Sequence, residues 1–233
     1  MADAPEPAAQ ANADHWPPDT RVTYGLKGYF RGKFYGDAKV QWQRQGDRYQ
    51  VEVDIRLPLF IQLTLTSQGI AGSNTLEPQI YQEVRPGRVD QLSVIGSDVR
   101  LNSGMLTAKP EGMQDTASQF VSLSQRFAIQ PELLKVGGEI SVWLGRPNGV
   151  DLWTYDVVAE DTLQTPKLGP VQAFHLKPRP LAQPRGPIIA ELWFAPSLQY
   201  LPVRVLITQG DGTFVDLLVE KIEQSPADPS RTP

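Results

Sequence analysis

The chain contains no cysteine and only two histidines among its 233 residues. The first absence excludes disulfides, thiolate nucleophiles and cysteine-ligated zinc, although it assigns no compartment. The second leaves little material for a transition-metal centre, and we expect neither a metal site nor a cofactor. Basic excess is missing as well. A net charge of −4 argues against a nucleic-acid binder, which normally carries a positive face. No run approaches the roughly 18 apolar residues that a membrane-spanning helix needs, so no integral membrane segment is expected.

Catalytic signatures are equally scarce. No Gly-x-Ser-x-Gly elbow occurs to expose a nucleophile. Gly25…Gly28 and Gly32…Gly36 do not open a helix behind a strand, as a dinucleotide fingerprint must. Asp211, between Gly210 and Gly212, lacks the further oxygen ligands of a calcium loop and reads as a turn residue. Glu160 and Asp161 are adjacent on a strand and point to opposite faces, so one glycosidase-type site cannot readily use both. The reading leans away from an enzyme.

What the chain does contain is alternation. Val22, Tyr24, Leu26, Gly28 and Phe30 share one face, and Ala38, Val40 and Trp42 continue with period two. In Arg48–Leu57, apolar Tyr49, Val51, Val53, Ile55 and Leu57 alternate with charged or polar residues, the mark of a strand with one buried face. Pro58 interrupts the ladder, then Leu59, Ile61, Leu63 and Leu65 resume it. Short candidate strands follow at 79–85, 89–95, 98–101 and 105–109, and longer ones at 139–145, 152–163 and 171–177. One amphipathic helix is predicted over 115–129, with Asp115 or Thr116 as N-cap and Phe120, Leu123 and Phe127 on its apolar stripe, widened by Val121 and Ala128. Pro131 ends it.

The stretch Gly186–Ile222 stands apart, because its strands 188–194, 203–209 and 213–222 are apolar on both faces. Ile188, Ala190, Leu192 and Phe194 point one way and Ile189 and Trp193 the other, so both sides must be covered. The preceding Pro178–Pro187 holds four prolines and reads as a loop or edge crossing. We expect a single all-β domain over 19–224, a highly curved antiparallel sheet (half-barrel or barrel-like) of roughly a dozen strands with one helix packed on it. Residues 1–18 and 225–233, rich in alanine, proline and aspartate, are expected to be flexible tails. Two packed halves with a break near 104–115 are the alternative.

Several stretches together resemble an uncharacterised bacterial exported-protein family, domain of unknown function 3108. They are Leu192-Trp193-Phe194-Ala195-Pro196, Leu201-Pro202-Val203-Arg204, Asp211-Gly212-Thr213 and Asp216-Leu217. Val22-Thr23-Tyr24, Gly46-Asp47-Arg48-Tyr49, Asp115…Ser118 and Thr165-Pro166…Leu168-Gly169 add to the resemblance, which covers nearly the whole folded region. It implies a periplasmic or secreted protein with no assigned activity. The N-terminus shows neither the basic nor the apolar region of a signal peptide, so we expect a leader already removed. The strand and helix inventory is also similar to the half-barrel lipoprotein carriers of the periplasm, an analogy of fold alone.

Few residues are candidates for chemistry. If Phe194 faces Leu201, then Glu191 lies across from Arg204, two charges on otherwise apolar strands that burial would force to pair. Such a pair either fixes register or anchors a ligand. His175 shares a face with Val171, Ala173 and Lys177, and it would need a nucleophile and an orienting partner to act in catalysis. Trp193 and Trp153 are the aromatics placed with these three as candidate ligand-binding residues; most other tryptophans and tyrosines are expected in the core. The leading expectation is a binding or envelope-assembly protein holding a lipid, acyl chain or other apolar ligand in the curved sheet. An interaction module that binds an envelope protein partner without a cavity comes second, and a hydrolase of an envelope polymer third.

Overall fold

The structure is a computed structural model that describes residues 18–58, 61–72, 74–184, 188–210 and 212–225. The expected tails over 1–17 and 226–233, Leu59, the turn residue Asp211 and the end of the proline-rich crossing at 185–187 lie outside the described residues.

Period-two sequence becomes strand throughout. The first half of the chain forms β1 (Thr20–Tyr29), β2 (Lys33–Gln45), β3 (Arg48–Arg56), β4 (Gln62–Ala71), β5 (Leu76–Arg85), β6 (Arg88–Ile95), β7 (Asp98–Arg100) and β8 (Leu106–Ala108). The second half gives β9 (Gln114–Asp115), β10 (Glu139–Arg146), β11 (Gly149–Thr165), β12 (Gly169–Pro178), β13 (Ile188–Ala195), β14 (Leu201–Gln209) and β15 (Thr213–Gln224). In β3 the alternation is literal: Tyr49, Val51, Val53 and Ile55 are buried, while Arg48 and Arg56 are exposed.

All of these strands belong to one 15-stranded sheet, three more than the dozen expected, ordered β8-β7-β6-β5-β4-β3-β2-β1-β15-β14-β13-β12-β11-β10-β9. The chain runs outward from β1 to one edge, crosses to the opposite edge between β8 and β9, and then meanders back until β15 pairs with β1. The crossing is the stretch where the sequence left room for a break between halves. Every described pair is antiparallel except β9 with β10. The sheet coils on itself, so that β9 contacts β5 and β10 contacts β6, but no hydrogen-bonded ladder closes it.

The helix α1 (Ser118–Ile129) follows β9 and packs on β14, β5 and β9. It starts at Ser118 with Ala117 at the N-cap, not Asp115 or Thr116 as expected; Asp115 sits just before, where its Oδ1 accepts the amides of Ala117 at 3.0 Å and Ser118 at 2.8 Å. The Ser118 hydroxyl accepts the Asp115 amide at 2.9 Å in return. These are the orphan donors that a helix start must place somewhere. Phe127 meets Phe194 edge-on, with centroids 5.1 Å apart. The expected stripe is only part of the buried surface. Ser118, Gln119, Ser124 and Gln125 are buried as well, whereas Ala128 is exposed. A helix set against a coiled sheet is enclosed on more than one side, and amphipathic spacing captures only its apolar contacts.

Register arranges the inner face of the sheet in rows. One row is Leu26, Leu217, Val205, Leu192, Leu176 and Val157, all buried. The next row toward the β1–β2 turn is Phe34, Gly28, Val215, Ile207 and Ala190, and every member except Gly28 is partly exposed. The interior is therefore filled near α1 and loosens toward the other end.

Candidate functional site

The outer face of β12–β14 carries the first cluster. His175 on β12 is in register with Trp193 on β13, which is in register with Arg204 on β14. The imidazole stacks on the indole with centroids 3.9 Å apart and planes 12° from parallel. The Arg204 guanidinium lies 4.5 Å from the same indole centroid, a cation–π contact. His175 Nε2 donates to Glu191 Oε2 at 2.6 Å, while its Nδ1 stands 3.8 Å from Asp161 Oδ2. The Trp193 indole N–H donates to Asp161 Oδ2 at 2.7 Å. Arg204 grips Asp216 through two hydrogen bonds, Nε to Oδ1 at 2.8 Å and Nη2 to Oδ2 at 2.9 Å. Those bonds, outweighing partial burial, hold the guanidinium above its ordinary pKa.

Both faces of β13 are covered over Leu192–Ala195, whereas Ile188 and Ile189 at its start are exposed, so the expected double cover holds for only part of the segment. α1 covers the inner face through Phe127. The outer face is covered by the far half of the β11–β12 hairpin. Four ladders separate β11 from β15 along the sheet, yet the two strands touch, and Lys167 in the hairpin turn bridges Glu220 of β15 at 2.8 Å. Leu163, Val171 and Ala173 are buried although they point outward, and Trp193 is only 3% exposed.

One expectation is corrected here. Glu191 does not lie across from Arg204. Ala195 rather than Phe194 faces Leu201, and a bulge between Trp193 and Phe194 adds a second shift, so Glu191 faces Leu206 and Arg204 faces Trp193. The carboxylate partners are His175 for Glu191 and Asp216 for Arg204. Two participants, Asp161 and Asp216, escaped sequence reasoning. Asp216 is a lone carboxylate in Phe214-Val215-Asp216-Leu217-Leu218, the same signal that drew attention to Glu191. Chemically, the groups are spent on one another. Among the described residues, the cluster's hydrogen bonds run to carboxylates and not to a serine or threonine that could serve as a nucleophile.

Trp153 does not join this cluster. It points inward from β11, stacks on Tyr155 with centroids 6.4 Å apart, and has the Arg146 guanidinium 5.4 Å from its ring centroid. Arg146 Nη2 also donates to Asp151 at 3.0 Å. Among the described residues, the indole N–H of Trp153 and Nε of Arg146 are buried without an acceptor. Other aromatics expected in the core are on the surface: Trp143 and Tyr29 are exposed.

A second interior cluster surrounds the start of α1. Asp115 is fully buried; besides the helix amides it accepts the Ser67 hydroxyl at 2.5 Å, and Ser67 Oγ lies 3.0 Å from the Tyr49 hydroxyl. Loss of solvent outweighs these hydrogen bonds and pushes the carboxyl up to about 6. Beside α1, a cleft bordered by Val22, Trp42, Phe120 and Leu201 has room for about 20 Å³, enough for a water molecule. The row Phe34, Val215, Ile207 and Ala190, with exposed Ile188 beyond it, is apolar and partly exposed. Phe34 lies over Gly28 so closely that a Cβ there would sit 2.1 Å from the ring. Among the described residues, no helix is long and apolar enough to cross a membrane.

Comparison with known proteins agrees with this architecture. A crystal structure of a beta-barrel-like protein of domain of unknown function DUF1849, from Brucella abortus, superposes with a TM-score of 0.58. The match covers 91% of this chain and 99% of that one at 8% sequence identity, a likeness of fold alone. No match is found among curated proteins. The model of the family described as "Protein of unknown function (DUF3108)" matches residues 20–219, nearly every strand of the sheet, and the chain belongs to that family.

Proposed function

We propose that this protein binds an apolar ligand, a lipid or acyl chain, at the open end of its coiled sheet. In this reading it serves the bacterial envelope from the periplasm or outside the cell, as a binding or assembly protein rather than an enzyme. One observation carries the reading: the inner row Phe34, Val215, Ile207 and Ala190 is apolar and partly exposed, directly above a row that is fully buried. Apolar surface left wet on the inside of a curved sheet is the lining that ligand sites use. The buried, unpaired donors of Arg146 and Trp153, also on the inner face, suit the polar end of such a ligand. Glu191, His175, Trp193 and Arg204 then serve to fasten the β11–β12 hairpin.

Titrating delipidated protein with a fluorescent fatty acid tests the reading. Saturable binding that falls at least tenfold in Ile207→Asn and Val215→Asn proteins of unchanged circular dichroism is expected. Absence of saturable binding by the folded wild type would end it. What would then remain is an interaction module without a ligand chamber, which the filled interior around α1 favours.

A further inference from the structure

The turn between β1 and β2 reads Tyr29-Phe30-Arg31-Gly32-Lys33-Phe34-Tyr35. Aromatic side chains bury a large area and normally find cover. Here Phe30 is 61% exposed, Tyr35 65% and Tyr29 42%. Arg31 adopts a positive φ of 53°, and the Phe30 amide donates to Gly32 O at 3.0 Å, so the strands reverse tightly and the tip protrudes. The Arg31 guanidinium lies 5.4 Å from the Phe30 ring centroid. Lys27 stands beside the tip, in register with Tyr35.

Antiparallel pairing brings further apolar residues to the same end of the sheet. Ile61, entering β4, and Ile188 and Ile189, opening β13, are all exposed. The charges at the tip itself are Arg31 and Lys33, on a chain whose net charge is −4. Among the described residues, the acids on the neighbouring strands are partly engaged: Asp54 bridges Arg56, and Asp216 is held by Arg204, while Asp37 is partly buried.

We propose that this end of the sheet docks on an anionic lipid bilayer. Tyr29, Phe30 and Tyr35 enter the interface while Arg31, Lys33 and Lys27 lie among the headgroups. Aromatic rings with a polar edge favour that zone, and long cationic side chains can bury their stems while keeping the charge at the phosphates. Exposed apolar side chains with cations among them, on a chain of net negative charge, match the pairing of buried apolar area and attraction to anionic lipid that interfacial binding uses. The inference goes beyond acyl binding and does not depend on it, although the open inner row sits at the same end.

Co-sedimentation of the full chain with two vesicle preparations tests the proposal, one of phosphatidylcholine alone and one with phosphatidylglycerol added. Binding to the anionic vesicles is expected, with little to the neutral ones. Raising salt from 0.1 M to 1 M should release the protein, because exposed charges are screened. The Arg31→Gln/Lys33→Gln protein should bind about 25-fold more weakly, near fivefold per cation. Phe30→Ser/Tyr35→Ser should lose about tenfold at low salt, and both proteins should keep wild-type thermal stability and fatty-acid binding in solution. The Val215→Asn protein should sediment with vesicles like the wild type, which separates failure of docking from failure of ligand binding. Equal binding to both preparations, binding to neither, or wild-type binding by the tip variants would overturn the proposal. Binding to neither would leave a protein partner as the occupant of the tip.

Discussion

Trp193 lies between His175 and Arg204, stacked on the imidazole at 3.9 Å and facing the guanidinium at 4.5 Å. Each of the three side chains comes from a different strand, so one indole couples β12, β13 and β14 on the face that the β11–β12 hairpin covers. Trp193→Ala removes both stacking partners and leaves a void in a dry site, which should cost about 3–5 kcal/mol. Trp193→Phe keeps a ring but deletes the donor to Asp161, at about 1 kcal/mol. Urea denaturation reads both. An alanine protein within 1 kcal/mol of wild type would mean that the clasp contributes nothing to the hairpin's seat.

Arg204 is expected to couple energetically to Asp216 and not to Glu191. A double-mutant cycle of Arg204→Met with Asp216→Asn should give an interaction of about 1 kcal/mol, the scale of a partly exposed bidentate pair. The cycle with Glu191→Gln should give under about 0.5 kcal/mol. The reverse order would restore the direct Glu191–Arg204 pairing that the register rules out.

Asp115 makes stability depend on pH in an unusual direction. Its carboxyl titrates near 6 in the fold against an ordinary value of 3.8. Between those values the folded chain holds a proton that the unfolded chain has released, so the slope of unfolding free energy with pH is negative. This group's contribution is therefore most favourable below about pH 4 and declines as pH rises to 6, by up to about 3 kcal/mol. Asp115→Asn keeps an oxygen for the Ala117 and Ser118 amides and removes the charge. Urea midpoints at pH 4, 5, 6 and 7 should fall with pH more steeply in the wild type than in the asparagine protein. Parallel profiles would show that Asp115 stays ionised across the range.

Strand content and the doubly covered segment were legible because alternation is a local signal. A run such as Tyr49–Ile55 states its own buried face, and Leu192–Phe194, apolar on both sides, states that it has two neighbours, although the same signal at Ile188 and Ile189 ends in exposed side chains. What those neighbours are was not legible. Trp193 is covered by His175, Arg204 and Asp161, and the β11–β12 hairpin, whose register shifts at Val157/Ala159, reaches β15 beyond them, a contact that no local pattern records. The partners of Glu191 and Arg204 were missed for a related reason. Alternation fixes faces but not register, and two one-residue offsets, at Ala195 and at the Trp193/Phe194 bulge, moved each charge to a different partner. The buried Tyr49–Ser67–Asp115 chain joins two strands and a helix start far apart in sequence, so only Asp115 drew attention, and it did so as an N-cap, a position that Ala117 occupies instead.

The pairing of β1 with β15 means that the first and last strands meet in the middle of the sheet, with the Ser225 amide donating to Asp19 O at 2.9 Å. Thr20 faces Gln224, so closing this ladder is the longest loop the chain must form, and each half can meander before it closes. The outer ends of β1 and β15 lie side by side and can be joined. A circular permutant linked from 225 to 19 by a short glycine-serine segment, and opened within 109–112 between the two sheet edges, turns that longest loop into a local hairpin. Its contact order falls, and refolding from urea should be faster than in the parent at similar stability. The ladder between the first and last strands would then be the place where folding starts.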